Sequence, residues 1–181
     1  MAPLLRSTMG SPIGSRRSGP GALRSRSRSR TVTAVTFVRL SHPRRDRDVA
    51  AGGYVLVDAE NGSPDVVLIG TGSEVQLAVA AREELAKAGI AARVVSMPCV
   101  EWFDEQPQSY RDSVLPPSVR ARVAVEAGIA MPWYRFVGDA GEIVSIEHYG
   151  ASAGYEVLYE KFGVTTAAVV EAAQRSVTNA K

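Results

Sequence analysis

Cysteine and histidine are nearly absent from this chain of 181 residues. Cys99 is the only cysteine, so an intramolecular disulfide is impossible, and a cytosolic or organelle interior is the expected compartment. The only two histidines, His42 and His148, fall in different parts of the chain. This separation argues against a zinc site or a proton relay built on a histidine pair. We therefore expect no resident metal in this chain.

Long apolar runs are also missing. No stretch approaches the ~18 apolar residues that a membrane-spanning helix needs, and the N-terminus lacks the apolar segment of a secretory signal. We therefore expect a cytoplasmic protein with no membrane partner. The chain is still long enough to form a core, because a domain of about 130 residues buries roughly two thirds of the surface of its unfolded chain.

Residues 1–50 and 51–181 carry opposite net charges. The first stretch holds eleven arginines and two aspartates, a net charge of +9, whereas the second holds ten basic and seventeen acidic residues, a net charge of −7. The N-terminus is also rich in Ser, Gly and Pro and reads RSRSRSR at residues 24–30. Such a composition buries too little apolar surface to offset its ordering entropy. The sequence therefore predicts a disordered arm at residues 1–47 and a folded domain at residues 48–181.

Three explanations of this arm stay open. An Arg- and Ser-rich, acid-poor N-terminus is typical of an organelle transit peptide, which would place the protein in an organelle instead of the cytoplasm. Alternating Arg and Ser could bind RNA phosphates, but no aromatic residue stands between the arginines to stack a base, so no nucleic acid partner is expected. The third and favoured explanation is a non-functional leader left by a truncated or wrongly joined reading frame.

Strand and helix patterns alternate along the rest of the chain. DVVLIG at residues 65–70 and ARVVSM at residues 92–97 are apolar runs typical of strands buried on both faces. A helical pattern from about residue 74 to residue 87, stopped by Gly89, lies between them and predicts a right-handed crossover joining two parallel strands. The alternation predicts an α/β fold, a three-layer domain with a mostly parallel sheet of about five strands. The other predicted elements are strands at 52–59, 121–128 and 142–147, a short helix at 103–116 broken near Pro107, a turn or short helix at 131–138, and helices at 152–163 and 165–177.

The loop LIGTGSEV, residues 68–75, joins a buried strand to a helix and raises the question of a phosphate site. A dinucleotide site needs a third glycine where this loop has Val75, and a P-loop needs a Gly-Lys pair that the loop lacks. The free N–H groups of a helix N-terminus could still attract an anion weakly. The candidate residues for this weak anion site are Gly70, Thr71, Gly72 and Ser73.

Capping of the helix explains the same loop without a ligand. Thr71 is followed three residues later by Glu74, and Ser73 is followed three residues later by Gln76. Either pair can form a capping box over the unpaired N–H groups of the first helical turn. Glu74 would then complement the helix dipole and repel a phosphate. We therefore favour the capping function over the anion site.

No catalytic residue is predicted. Ser73, His148 and Glu126 could be imagined as a triad, but Ser73 lacks the Gly-x-Ser-x-Gly elbow and fits a capping role better. Cys99 has no cation beside it in the sequence to activate its thiol, so it is expected to be a small, unreactive apolar residue.

Acidic and aromatic residues recur around residue 100 and residue 134. Glu101, Asp104 and Glu105 are expected where a helix starts, because acids there stabilise the helix dipole. The aromatic residues are expected in the core or at an interface. They are Trp102, Phe103, Trp133, Tyr134 and Phe136.

Three blocks of the sequence are specific enough to suggest a family. They are residues 65–106, which include GTGSEVQLAV and MPCVEWFDEQ, residues 110–128, which include VLPPSV, and residues 148–166. These blocks resemble the C-terminal domain of transketolases of the bacterial and plant type, and the resemblance extends over about residues 48–177. Synthases of deoxyxylulose phosphate and the β chain of pyruvate dehydrogenase have similar third domains, but MPCVEWFDEQ and VLPPSV favour transketolase. Gly154 is a departure, because the family has a proline there.

The resemblance implies a function that this chain does not perform alone. Transketolases transfer a two-carbon ketol group between sugar phosphates in the pentose phosphate pathway. In the family, thiamine diphosphate and a divalent metal (Mg or Ca) lie between the first domain of one subunit and the second domain of the other subunit of a homodimer. The resemblance therefore implies a C-terminal domain that holds no cofactor itself, supports assembly with the other domains and is inactive alone. It also favours a fragmentary gene model, since RSRSRSR resembles nothing that precedes this domain in the family. The alternative is a stand-alone module that binds an anionic effector or a protein partner.

Overall fold

The structure is a computed structural model that describes residues 45–60 and 62–181. The predicted disordered arm lies outside the described residues except at its end, where helix α1 (Arg45–Ala50) spans the predicted boundary between residues 47 and 48. The division of the chain at that boundary remains a prediction.

Five strands and seven helices make up the described part of the chain. Two short 3-10 helices, Gly72–Glu74 and Met131–Trp133, precede α2 and α5. The elements after α1 are β1 (Tyr54–Val57), β2 (Val66–Gly70), α2 (Val75–Lys87), β3 (Ala92–Ser96), α3 (Val100–Asp104), α4 (Gln108–Val114), β4 (Arg122–Val125), α5 (Tyr134–Val137), β5 (Glu142–Val144), α6 (Tyr155–Phe162) and α7 (Thr166–Asn179).

The strands form one mixed, mostly parallel sheet in the order β1-β3-β2-β4-β5. β2 pairs in parallel with both β3 and β4, and β5 is parallel to β4, whereas β1 runs antiparallel to β3. In the middle of the sheet, Leu68 lies opposite Val94 on one side and Val123 on the other. The predicted α/β fold with about five strands is confirmed.

Alternate residues of the central strands face two separate layers of helices. Leu68 belongs to a buried cluster that includes Leu85 of α2 and Val169 of α7. Ile69, the next residue of β2, belongs to a second cluster that includes Phe103 of α3 and residues of α4 and α5. Because every residue of β2 and β3 is buried, these strands lack the polar alternation of a half-exposed strand. The predicted three layers follow from this arrangement.

Helix α2 ends as its sequence predicts. Gly89 has φ +76°, a left-handed conformation that glycine adopts without strain, and the N–H of Ile90 donates to the carbonyl oxygen of Leu85 at 3.0 Å.

At the N-terminus of α6, Gly154 has φ −60°, close to the value that the expected proline would have set.

The helix predicted at residues 103–116 is displaced at its start. Cys99 is extended, so α3 begins at Val100, and Pro107, also with extended ψ, separates α3 from α4 as predicted. Glu101 lies in the first turn, as expected. The expectation for Asp104 and Glu105 was wrong, because they form the last residue and the C-cap of α3.

Candidate functional site

The strand order reverses between β2 and β4, which is the position where α/β sheets form a crevice at the ends of their strands. After β2 the chain crosses through α2 to β3 on one side, and after β3 it returns through α3 and α4 to β4 on the other side. α2 and the α3–α5 group cover opposite faces of the sheet. In such sheets, ligands bind outside the carboxyl ends of the strands where the order reverses. The candidate site is therefore the pair of loops that begin at Gly70 and Glu126.

The loop after β2 enters its helix through a tight turn. Thr71 is extended, Gly72 has φ +51°, and the N–H of Glu74 donates to the carbonyl oxygen of Thr71 at 3.1 Å. Gly70 lets the turn close, because a Cβ there would lie 3.1 Å from the Cα of Val75. This close approach accounts for the first glycine of the loop without a ligand.

The predicted capping boxes are wrong. Neither Thr71 nor Glu74, the residues that precede the 3-10 helix and α2, makes a side-chain capping bond. The Ser73 hydroxyl donates to the Glu74 carboxylate at 3.1 Å instead of capping a backbone N–H. The 3-10 turn changes the geometry at the start of α2, and the polar side chains of the loop bond to each other.

Glu74 is a buried carboxylate, with 6% of its surface exposed. It accepts a hydrogen bond from the hydroxyl of Tyr159 on α6, and the hydroxyls of Ser73 and Tyr159 lie 3.3 Å apart. The three side chains tie the loop after β2 to a helix 85 residues further along the chain. The sequence reasoning missed Tyr159, because its signal, a tyrosine in an amphipathic helix, is indistinguishable from an ordinary packing residue.

The electrostatics of this crevice are acidic. Burial, and secondly the nearby charge of Glu74, raise the pKa of the Glu126 carboxyl above its usual value. Burial, followed by the hydrogen bond to Glu74, raises the pKa of the Tyr159 hydroxyl. Both shifts indicate that the crevice disfavours further negative charge. The weak anion site at Gly70, Thr71, Gly72 and Ser73 remains a prediction. The carboxylates of Glu74 and Glu126 would repel an anion there.

The imagined triad has no hydrogen-bonded geometry. Ser73 bonds to Glu74 and Tyr159, whereas Nδ1 of His148 lies 2.8 Å from the carbonyl oxygen of Tyr149. The His148 ring packs edge-on against Phe162, with 4.5 Å between ring centroids. Within residues 45–60 and 62–181, no bond joins His148 to Ser73.

Among the described residues, no group of three or more His, Cys, Asp or Glu side chains could hold a metal ion. None of the described helices combines the length and the apolar character that crossing a membrane requires.

The Cys99 thiol is half-buried and donates a hydrogen bond to the Glu101 carboxylate at 3.4 Å.

The comparison with protein families decides the family. The family model described as the transketolase-like TK C-terminal domain matches residues 52–165, more than half of the chain. The chain belongs to the transketolase C-terminal domain family. This membership confirms the resemblance carried by the three sequence blocks.

Several transketolases are similar to this chain. The transketolase of Mycobacterium leprae is 63% identical over 134 residues, which cover 72% of this chain and 19% of the relative. The chloroplastic transketolase of Solanum tuberosum is 52% identical over 127 residues, covering 70% of this chain and 17% of the relative. A solved transketolase from Leishmania mexicana has a TM-score of 0.67 and 39% identity, covering 73% of this chain and 19% of that one. The chain therefore spans about a fifth of the length of the curated relatives it matches.

The described residues do not fit the divalent metal of transketolases. The divalent metal that accompanies thiamine diphosphate in the family needs a set of oxygen ligands. Glu74 accepts a hydrogen bond from the Tyr159 hydroxyl, and no group of three or more metal-binding side chains exists among the described residues.

Proposed function

We propose that this chain supplies the C-terminal domain of a transketolase-type enzyme. The enzyme transfers a two-carbon ketol group between sugar phosphates in the pentose phosphate pathway, and this domain has a structural role in its assembly. The observation that carries the proposal is the match of the family model to residues 52–165. The site geometry agrees with a structural role, since the buried Glu74 is used to join α6 to the loop after β2.

The proposal assigns the chemistry to other domains. Thiamine diphosphate and Mg or Ca would be bound by the first two transketolase domains, and the partners of this domain would be those domains within a homodimer. The isolated chain is then inactive, because the reactive cofactor is held elsewhere. The shortness of the match, 19% of the Mycobacterium leprae relative, supports this division.

A domain exchange tests the proposal. The C-terminal domain of the Mycobacterium leprae transketolase is replaced by residues 48–181 of this chain, and ketol transfer is measured beside the parent enzyme and the relative without a C-terminal domain. We expect the exchanged enzyme to dimerise and to retain transfer activity. The full 181-residue chain should neither catalyse transfer nor release heat when titrated with thiamine diphosphate and magnesium. An inactive, unassembled exchanged enzyme would refute the assigned role.

The stand-alone module remains the alternative, with an anionic effector at Gly70, Thr71, Gly72 and Ser73. The carboxylates of Glu74 and Glu126 would repel such an effector. Its dissociation constant should therefore be millimolar at best, which corresponds to a binding free energy of about −4 kcal/mol. Melting of the full chain with added phosphate, at fixed ionic strength, distinguishes the two functions. A rise in melting temperature that Ser73→Ala abolishes would favour the module.

We propose a cytoplasmic location. The open alternative is an organelle, if the arm is a transit peptide, and the chloroplastic relative from Solanum tuberosum makes this worth testing. A fluorescent fusion of the full chain, imaged in a eukaryotic cell beside a fusion without residues 1–47, tests it. Organelle signal that needs the arm would establish the alternative.

A further inference from the structure

The largest exposed apolar side chains of the described residues share one edge of the sheet. This edge, here called the carboxyl edge, is where the parallel strands β2 to β5 end and where the antiparallel β1 begins. Each of these side chains lies either just before β1 or in a segment that follows β3, β4 or β5. They are, with their exposed fractions, Val49 (45%), Trp102 (53%), Ile129 (53%), Met131 (71%), Tyr134 (63%), Tyr149 (98%), Tyr155 (63%) and Val157 (51%).

Contacts between these segments join them at the carboxyl edge. The N–H of Cys99 at the start of α3 donates to the carbonyl oxygen of Gly52 before β1. The Arg135 guanidinium of α5 lies 2.7 Å from the carboxylate of Asp104 on α3. The N–H of Ala130 after β4 donates to the Glu147 carboxylate after β5 at 2.7 Å. These bonds join the neighbouring segments that carry the exposed apolar side chains.

Exposed carboxylates alternate with the apolar side chains. Glu101 precedes Trp102, and Glu156 follows Tyr155. Glu147 is exposed, and hydrogen bonds from Ser145 and then from Ala130 lower the pKa of its carboxyl, which keeps it ionised. Two copies of such an acidic surface would repel each other, whereas a partner surface with apolar and basic side chains would complement it.

The path of the chain shows where a preceding domain arrives. β1 is antiparallel to its neighbour, so the chain enters the domain at the carboxyl edge. Gly52, with φ +81°, passes directly beneath α3, and a Cβ on it would lie 2.4 Å from the carbonyl oxygen of Cys99. The family is a C-terminal domain, and the match covers 19% of the Mycobacterium leprae relative. In such a relative the other domains come earlier in the sequence, so their chain would enter this domain at the carboxyl edge.

We infer that the carboxyl edge is the docking face for the preceding domains of the transketolase-type enzyme, an inference that rests on the proposed function. The partner surface is apolar at its centre and carries Lys or Arg at its rim. Exposed apolar patches of this kind mark protein interfaces, and aromatic and Met side chains are enriched at their centres. Trp102 and Tyr134 then belong to an interface, one of the two environments expected for the aromatic residues.

Hydrogen exchange tests the inference on the full 181-residue chain and on the exchanged Mycobacterium leprae enzyme. Amides of residues 129–135 and 148–157 should exchange about tenfold more slowly in the enzyme than in the chain alone, because docking excludes water from them. The double substitution Met131→Asp and Tyr134→Asp should remove this protection. Ser118→Asp, which places a negative charge at the opposite edge before β4, should leave it intact. Tyr149→Asp is a second variant at a side chain that is 98% exposed, so its effect cannot come from a lost core contact.

The outcomes separate the inference from the proposed function. An active enzyme whose carboxyl-edge amides exchange as fast as in the free chain refutes the docking face but leaves the proposed function standing. An inactive, unassembled enzyme refutes both. The carboxyl edge could instead bind a second copy of this chain, and sedimentation of the full chain tests this alternative. A dimer that dissociates on the substitution Met131→Asp would also overturn the inference.

Discussion

Tyr159 and Glu74 form the most informative single contact of the domain. The tyrosine hydroxyl donates to a carboxylate that has 6% of its surface exposed, so it compensates the burial of a charge. Tyr159→Phe should lower the free energy of unfolding by about 1–2 kcal/mol, measured by urea denaturation. Tyr155→Phe is the matched control, since this exposed tyrosine lies one helical turn earlier on α6. Equal losses in the two variants would show that the hydroxyl of Tyr159 contributes nothing special.

Glu126 predicts a pH dependence of stability. Its carboxyl pKa is raised in the folded state, chiefly by burial, so the folded chain binds this proton more tightly than the unfolded chain. Its contribution to stability is complete below the ordinary pKa of 4.5 and is lost as pH rises through the raised value. Glu126→Gln should therefore lose less stability than the unmutated chain between about pH 4 and about pH 7, measured by urea unfolding.

Glu147 provides the control of opposite sign. Hydrogen bonds from Ser145 and Ala130 lower the pKa of its carboxyl, so its contribution is present above the ordinary pKa and is lost as pH falls through the lowered value. Glu147→Gln should therefore be less stable than the unmutated chain at neutral pH, and this difference should shrink at strongly acidic pH. The pH dependence is opposite in sign to that expected for Glu126→Gln. If Glu126→Gln and Glu147→Gln shift the profile in the same direction, the assignment of the Glu126 effect to burial is wrong.

The junction of α1, β1 and α3 depends on one glycine. Gly52 has φ +81°, and a Cβ there would lie 2.4 Å from both the Cys99 carbonyl oxygen and the Phe103 nitrogen, which are backbone atoms that cannot move aside. Gly52→Ala should cost about 2–4 kcal/mol in urea unfolding, from backbone strain together with overpacking. Gly62→Ala is the control, because Gly62 has φ +69° but open space around it, and should cost only about 1 kcal/mol.

For the chain as a whole, the change of charge and apolar content near residue 50 predicts a protease-resistant domain preceded by a sensitive arm. Limited trypsin digestion should leave a resistant fragment that starts close to Asp48, with cleavage at the arginines of residues 24–30. Mass spectrometry of the fragment checks this result. Protection of residues 24–30 at the same trypsin concentration would contradict the predicted disorder of the arm.

Arginines at the opposite edge of the sheet show what sequence patterns leave out. Arg93 is 7% exposed within β3, and its guanidinium pairs with both carboxylate oxygens of Asp58, at 2.7 and 3.0 Å. Arg122 of β4 donates to the carbonyl oxygens of Val119 and Phe136, among others. Asp58 and Val119 lie in loops and Phe136 lies in α5. No periodicity of the sequence indicates which of these segments will lie beside a strand end.

The sequence by itself determined the layers, the strands and the family. Continuous apolar runs at β2 and β3 can be buried only between two layers of helices, and Gly89 and Pro107 end or divide helices through local backbone geometry. Three ordered blocks of sequence were enough to identify the transketolase C-terminal domain. These features depend on neighbouring residues, which a single sequence displays.

Only the tertiary structure decided how the loop after β2 is used. Thr71, Ser73 and Glu74 have the spacing of a capping sequence, but Tyr159, 85 residues away from Glu74, supplies the donor that competes for the carboxylate. The carboxyl edge likewise became visible only when segments from four parts of the chain met there. The physical reason is the same in both cases. Hydrogen-bond partners and surface neighbours are set by the order of the strands in the sheet, and the spacing of residues along the sequence does not predict that order.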